Sequence, residues 1–255
     1  MSDAGAPVLL KLFYEKGNLP ARDKVGLALT PLFIAVILLL LEFYGWQQPF
    51  VGRISPALGL EFEDERELWF FAQVHATTSV WILFILLPVG LHLLAPIGGS
   101  NPFGLSLGQV RANIRPYLIL IAVMLPILWI ATSRPGFYNF YPIYRPTGLN
   151  DWLVYESVYL LQFVGVEFFF RGWGLFRMEK MFPGYGVFLM TLPYALIHIH
   201  KPFPEAIASI VAGIVLGLLA LKTRSIWPGL AVHVAVAFSA DLFSLVHSGL
   251  LISWF

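Results

Sequence analysis

The chain has 255 residues, of which 58% are hydrophobic and only 12% charged, with a formal net charge of +1. A charged fraction about half that of an ordinary soluble domain points to a membrane protein, and without a basic run no nucleic-acid partner is expected. There is no cysteine, which excludes thiol nucleophiles, disulfide frameworks and thiolate-bound zinc and leaves carboxylate, histidine and hydroxyl chemistry.

In chain order, the first segment carries acidic and basic residues before any long apolar run, so it does not read as a cleaved signal peptide. Val8, Leu9, Leu10, Leu12 and Phe13 beside Lys11, Glu15 and Lys16 suit a short amphipathic helix at the bilayer interface. Apolar runs predict helices over 26–46, 74–95, 117–133, 152–172, 185–200, 205–221 and 227–247, with Pro20, Pro96, Pro135, Pro183 and Pro228 at their ends or links. The stretch 49–70, with Glu61, Glu63, Asp64, Glu65 and Glu67, reads as a solvated loop. The fold class is therefore all-α, a polytopic transmembrane bundle of about seven helices.

With the N-terminus inside, ten Lys and Arg residues fall in inner segments and five in outer ones, leaving Arg171 aside. That asymmetry predicts a cytoplasmic N-terminus. The run from Tyr185 to His198 is short for a span, roughly 21 Å as a helix, so the turn that follows is expected to lie below the far surface. Irregular backbone at that depth needs protein or a water-filled cavity beside it.

Three clusters carry ionisable residues into these helices, where each costs several kcal/mol unless it has a partner or a task. Glu167 and Arg171, four apart, share a helix face; the bland reading is a structural ion pair. Tyr194 and His198, again four apart, precede His200, Lys201 and Glu205. Glu205 also suits the first turn of the next helix simply as a charge at its positive end. His233 stands in the last apolar run, with Asp241 two turns later, about 12 Å along the axis and beyond direct contact. Carboxylate, imidazole and guanidinium together suit activation of a water molecule and stabilisation of an oxyanion. Two histidines and a carboxylate could also hold zinc, but no HExxH spacing supports it, and no cofactor is favoured.

The order of these clusters resembles the CAAX-protease and bacteriocin-processing family of intramembrane endopeptidases, also called Abi or lysostaphin-resistance-protein-A-like. Its pattern is EExxxR, FxxxH and HxxxN or HxxxD on successive helices. Glu167 and Arg171 match the second glutamate and the arginine of the first motif. Tyr194 stands at the phenylalanine, and His198 and His233 match the two histidines. Val166 occupies the first glutamate position, and Ala237 that of the Asn or Asp. The resemblance implies a four-helix catalytic core over 150–247, with 1–149 as preceding helices of the same membrane domain. It implies Glu167 or, in substitution, Glu205 as base, His198 and His233 around water and oxyanion, Arg171 orienting Glu167, and accessory roles for Tyr194, Lys201 and Asp241. It further implies a membrane-anchored or lipid-modified protein substrate reached from the bilayer or the cytoplasmic face, and a bacterial cytoplasmic membrane. The two departures leave open an inactive member serving as a membrane binding, immunity or assembly protein.

Overall fold

A computed structural model describes residues 21–96, 101–107 and 109–254; the interfacial helix expected near the N-terminus lies outside them. Among the described residues the chain is helical and has no strand. Six helices are long and apolar enough to cross a membrane, so the chain is an integral membrane protein. We label the main helices α1 (Ala21–Leu40, prolonged by a π-helical turn Leu41–Gly45), α2 (Glu65–Leu94), α3 (Ile114–Thr132), α4 (Leu149–Met181), α5 (Gly186–Leu196), α6 (Phe203–Thr223) and α7 (Trp227–His247). The proximal face is the one at which α1 begins and α6 turns into α7. The distal face carries the α3–α4 connection.

Three boundaries differ from the pattern of hydrophobicity, each for a local reason. The acidic stretch starts a helix instead of forming a loop throughout: Asp64 accepts from the Glu67 backbone N–H at 2.7 Å, and Glu67 accepts from the Glu63 N–H. These carboxylates satisfy the donors at the positive end of α2. Short helical turns also cover Gln47–Pro49, Phe50–Ile54 and Ser55–Ala57. α4 runs on past residue 172 to Met181, through a π-helical segment Phe168–Gly174. α5 stops at Leu196, giving 11 residues, about 16 Å of helix, too short to span the hydrocarbon.

α4 is the central helix. In its apolar window 61% of residues are buried, against 17–39% in the windows of the other five spans. Large apolar side chains on the outer helices, such as Leu32, Val36, Leu86, Ile119 and Leu218, are exposed, as a lipid-facing surface requires. Close approach to α4 depends on missing side chains. A Cβ on Gly165 would lie 2.7 Å from Val80 Cγ1 on α2. α5 and α6 meet in the same way, where Gly213 and Gly217 face Thr191 and Val187. Small residues at such seams let helices pack in a solvent that gives no hydrophobic drive between them. Around the π segment Phe84 stacks on Phe169 at 4.4 Å and Phe169 on Trp173 at 5.5 Å. One buried cluster draws on α1, α2, α4, α5, α6 and α7, so residues on both sides of position 149 share a core.

Candidate functional site

Glu167 is the last α-helical residue of α4 before the π segment, and it is fully buried. π segments inserted in α-helices recur at functional sites. Its Oε1 lies 3.1 Å from Arg171 Nη1 and 2.9 Å from His233 Nδ1. A carboxylate only accepts, so Nδ1–H of His233 donates to it and Nε2 remains for another partner. The other oxygen, Oε2, meets no donor among the described residues. Opposite it is Gly229, one turn before His233, where a Cβ would stand 2.8 Å from Oε2. Glu167 thus has one oxygen held by the His233 hydrogen bond and the Arg171 ion pair, and one left open over a position without a side chain.

Tyr194, on α5, joins the remaining residues. The Arg171 guanidinium carbon lies 3.8 Å from the centre of its ring, a cation–π contact strengthened by exclusion of water. The His233 ring is 6.3 Å from it and the His198 ring 4.7 Å. His198 sits in the turn after α5, 9% exposed, and its Nδ1–H donates to the Tyr194 carbonyl at 2.8 Å. That bond holds its Nε2 as an acceptor when the ring is neutral. Sequence separations of up to 66 residues therefore close into one group: Glu167, Arg171, Tyr194, His198 and His233.

Lys201 and Glu205 fall in a second, more distal group. Lys201 Nζ is 2.6 Å from the Tyr141 hydroxyl and 3.7 Å from Glu205 Oε1. The same hydroxyl lies 2.7 Å from both Glu205 oxygens. Tyr141 belongs to the α3–α4 connection. Burial, then the Glu205 carboxylate, push its phenol well above the usual value, so it stays protonated and donates. Glu205 is held at both oxygens, unlike Glu167. Asp241 is fully buried on α7 and meets Glu156 on α4, with no hydrogen bond to His233. His200 turns away to Glu42, 2.8 Å from its Nε2. Among the described residues no three His, Asp or Glu side chains gather as a metal site.

Three residues of these groups escaped the reading of the sequence. Gly229 carried a signal only in hindsight of its neighbour, one helical turn before His233. Glu156 carried a plain one: an acid in an apolar helix, eleven positions and about three turns before Glu167, hence on nearly the same face. Tyr141 had none, because a loop residue has no periodicity to betray its direction.

Residues 148–239, slightly more than a third of the chain, match the family model described as Type II CAAX prenyl endopeptidase Rce1-like. The matched segment runs from the start of α4 into α7 and contains both groups except Tyr141 and Asp241. The resemblance to CAAX proteases drawn from the three clusters thus holds over this segment. No curated protein and no solved structure matches the chain.

Proposed function

We propose that this chain is a glutamate-type intramembrane endopeptidase that hydrolyses a peptide bond in a membrane-anchored or lipid-modified protein. The observation that supports it most is the asymmetry of Glu167: Oε1 takes both the His233 hydrogen bond and the Arg171 ion pair, and Oε2 is left bare beside Gly229. A purely structural ion pair gains from satisfying both oxygens. A base needs one lone pair free.

In this reading Glu167 Oε2 removes a proton from a water that His198 Nε2 orients by accepting its second hydrogen. The water oxygen attacks the scissile carbonyl carbon, and negative charge moves to the carbonyl oxygen. His233, as an imidazolium bonded to Glu167 through Nδ1–H, offers Nε2–H to that oxygen. The proton held by Glu167 then passes to the leaving amine as the C–N bond breaks. Arg171, clamped on Tyr194, keeps the carboxylate oriented. Glu205 is the weaker candidate for the base because Tyr141 and Lys201 occupy its oxygens. The substrate enters from the bilayer or the cytoplasmic face, and the N-terminus is cytoplasmic in a bacterial cytoplasmic membrane. The reaction so written requires no metal.

One observation favours the second reading, an inactive binding or assembly protein: Val166 and Ala237 stand where the family pattern has a glutamate and an Asn or Asp. The purified protein in liposomes, offered prenylated and unprenylated membrane-anchored peptides, separates the two. Glu167→Gln should lower kcat about a hundredfold or more with the fold intact, the scale of a lost general base. Equal cleavage by the wild type and by Glu167→Gln would sink Glu167 as the base, and no cleavage of either peptide by the wild type would sink the peptidase reading.

A further inference from the structure

Distal to Glu167 and His233, the same two helices meet at a second polar point. Glu156 on α4 is 2% exposed and Asp241 on α7 is 0% exposed. Their carboxyl groups are close enough across the α4–α7 contact to act on each other, and none of their four oxygens has a hydrogen-bond partner among the described residues. No N–H or O–H donor reaches either carboxyl at full hydrogen-bond geometry among the described residues, although the Trp152 indole lies beside Glu156. The other ionisable groups near enough to act on Asp241 are Glu205, Lys201 and Arg145. Lys201 is 3.7 Å from Glu205, and Arg145 donates to the Tyr138 and Asn139 carbonyls of its own loop. Tyr141, Tyr155 and Tyr159 also lie near enough to feel Asp241.

Two carboxylates are both acceptors and cannot hydrogen-bond without a proton between them. Two unpaired negative charges side by side in a dry helix seam are far more expensive than one. The pair therefore holds at least one proton. Its place along the helices gives it a use. It stands about 16 Å from Glu167 along α4 and about 12 Å from His233 along α7. Between the two points run Tyr159, Phe163 and His233, with ring centres 5.2 Å and 4.3 Å apart in succession. One contact between two helices leaves a pivot, whereas two contacts fix rotation and register. A slip of α7 by a single residue moves His233 by about 1.5 Å and 100°, enough to break its bond to Glu167.

We propose that Glu156 and Asp241 share one proton as a carboxyl–carboxylate pair, and that this second pin between α4 and α7 sets the register in which His233 meets Glu167. They are positioning residues, and only their effect on turnover rests on the peptidase reading.

Infrared spectroscopy of the protein in liposomes tests the proton directly. The wild type should show the carbonyl stretch of a buried protonated carboxyl, lost in both Glu156→Gln and Asp241→Asn and kept in Glu167→Gln. Absence of the band in the wild type, or its survival in both amide variants, overturns the shared proton. Spin labels at Asn150→Cys and Ser248→Cys, in a chain without native cysteine, test the pin without any substrate. Glu156→Ala should widen or broaden the distance distribution. Glu156→Gln, whose amide donates to Asp241, should restore it. Identical distributions in Glu156→Ala and wild type overturn the positioning role. Where cleavage is measurable, Glu156→Ala should lose about tenfold or more in kcat, in keeping with misplaced reacting groups, and Glu156→Gln should recover most of it. A chain that cleaves nothing but keeps the band and the distance response refutes the peptidase reading and leaves the pin standing.

Discussion

The chemistry of Glu167 turns on one atom. Gly229 leaves the space in front of Oε2 open, and a methyl group there would stand 2.8 Å from it. Gly229→Ala should therefore cut kcat about tenfold or more by displacing the carboxylate or excluding water, with little change in the thermal midpoint of the detergent-solubilised protein. A full-rate Gly229→Ala enzyme would argue against Oε2 as the reacting oxygen. Tyr141 allows a test by pH. Its phenol is shifted upward by burial and by Glu205, so the folded state holds its proton more tightly than the unfolded chain does. The stability it contributes is complete below about pH 10, the ordinary phenol value, and declines as the pH rises above that toward the folded value. Tyr141→Phe should flatten this alkaline decline in thermal stability. Below pH 10 it should cost about 1–2 kcal/mol for the lost hydrogen bonds to Lys201 and Glu205.

At the scale of elements, α4 brings the site together because it lies inside the bundle and changes pitch at Phe168–Gly174. Its contact with α2 depends on Gly165, whose Cβ would come within 2.7 Å of Val80 Cγ1 and 3.3 Å of the Val80 carbonyl oxygen. The backbone cannot retreat as a flexible side chain would. Gly165→Ala should cost about 1–3 kcal/mol, the usual penalty of overpacking. The check is the unfolding midpoint in mixed micelles, and an unchanged midpoint would show that the seam is looser than these distances imply. The buried Glu167–Arg171 pair belongs to the same helix. Removing one partner should cost more than removing both, because a lone buried charge has nothing to balance it.

For the whole molecule, alternation of the helices sets Glu61 and Arg134 on the distal face and Arg111 on the proximal one. Without native cysteine, each position can be replaced singly and labelled with a membrane-impermeant maleimide. Glu61→Cys and Arg134→Cys should react from one side and Arg111→Cys from the other. With a cytoplasmic N-terminus, Arg111→Cys reacts only after the cytoplasmic side is opened. Labelling of Glu61→Cys and Arg111→Cys from the same side would refute the crossing of the membrane by α2.

Hydrophobicity and charge determined much of this in one dimension. A run of about twenty apolar residues can satisfy its backbone in lipid only as a helix, so the spans and the fold class are legible directly. So are Glu167, Arg171, His198 and His233, because an ionisable residue among apolar ones needs a reason. Two things that local periodicity does not encode were decided by tertiary packing. One is the partner of each group: Asp241 meets Glu156 and not His233, and Glu205 is occupied by Tyr141, because contact between helices depends on their relative rotation and register. The other is the local backbone, in the π segment of α4 and the early stop of α5. Equally apolar residues can be wound with one hydrogen-bond pattern or another, and only neighbours such as Val80, Phe84 and Tyr194 select between them.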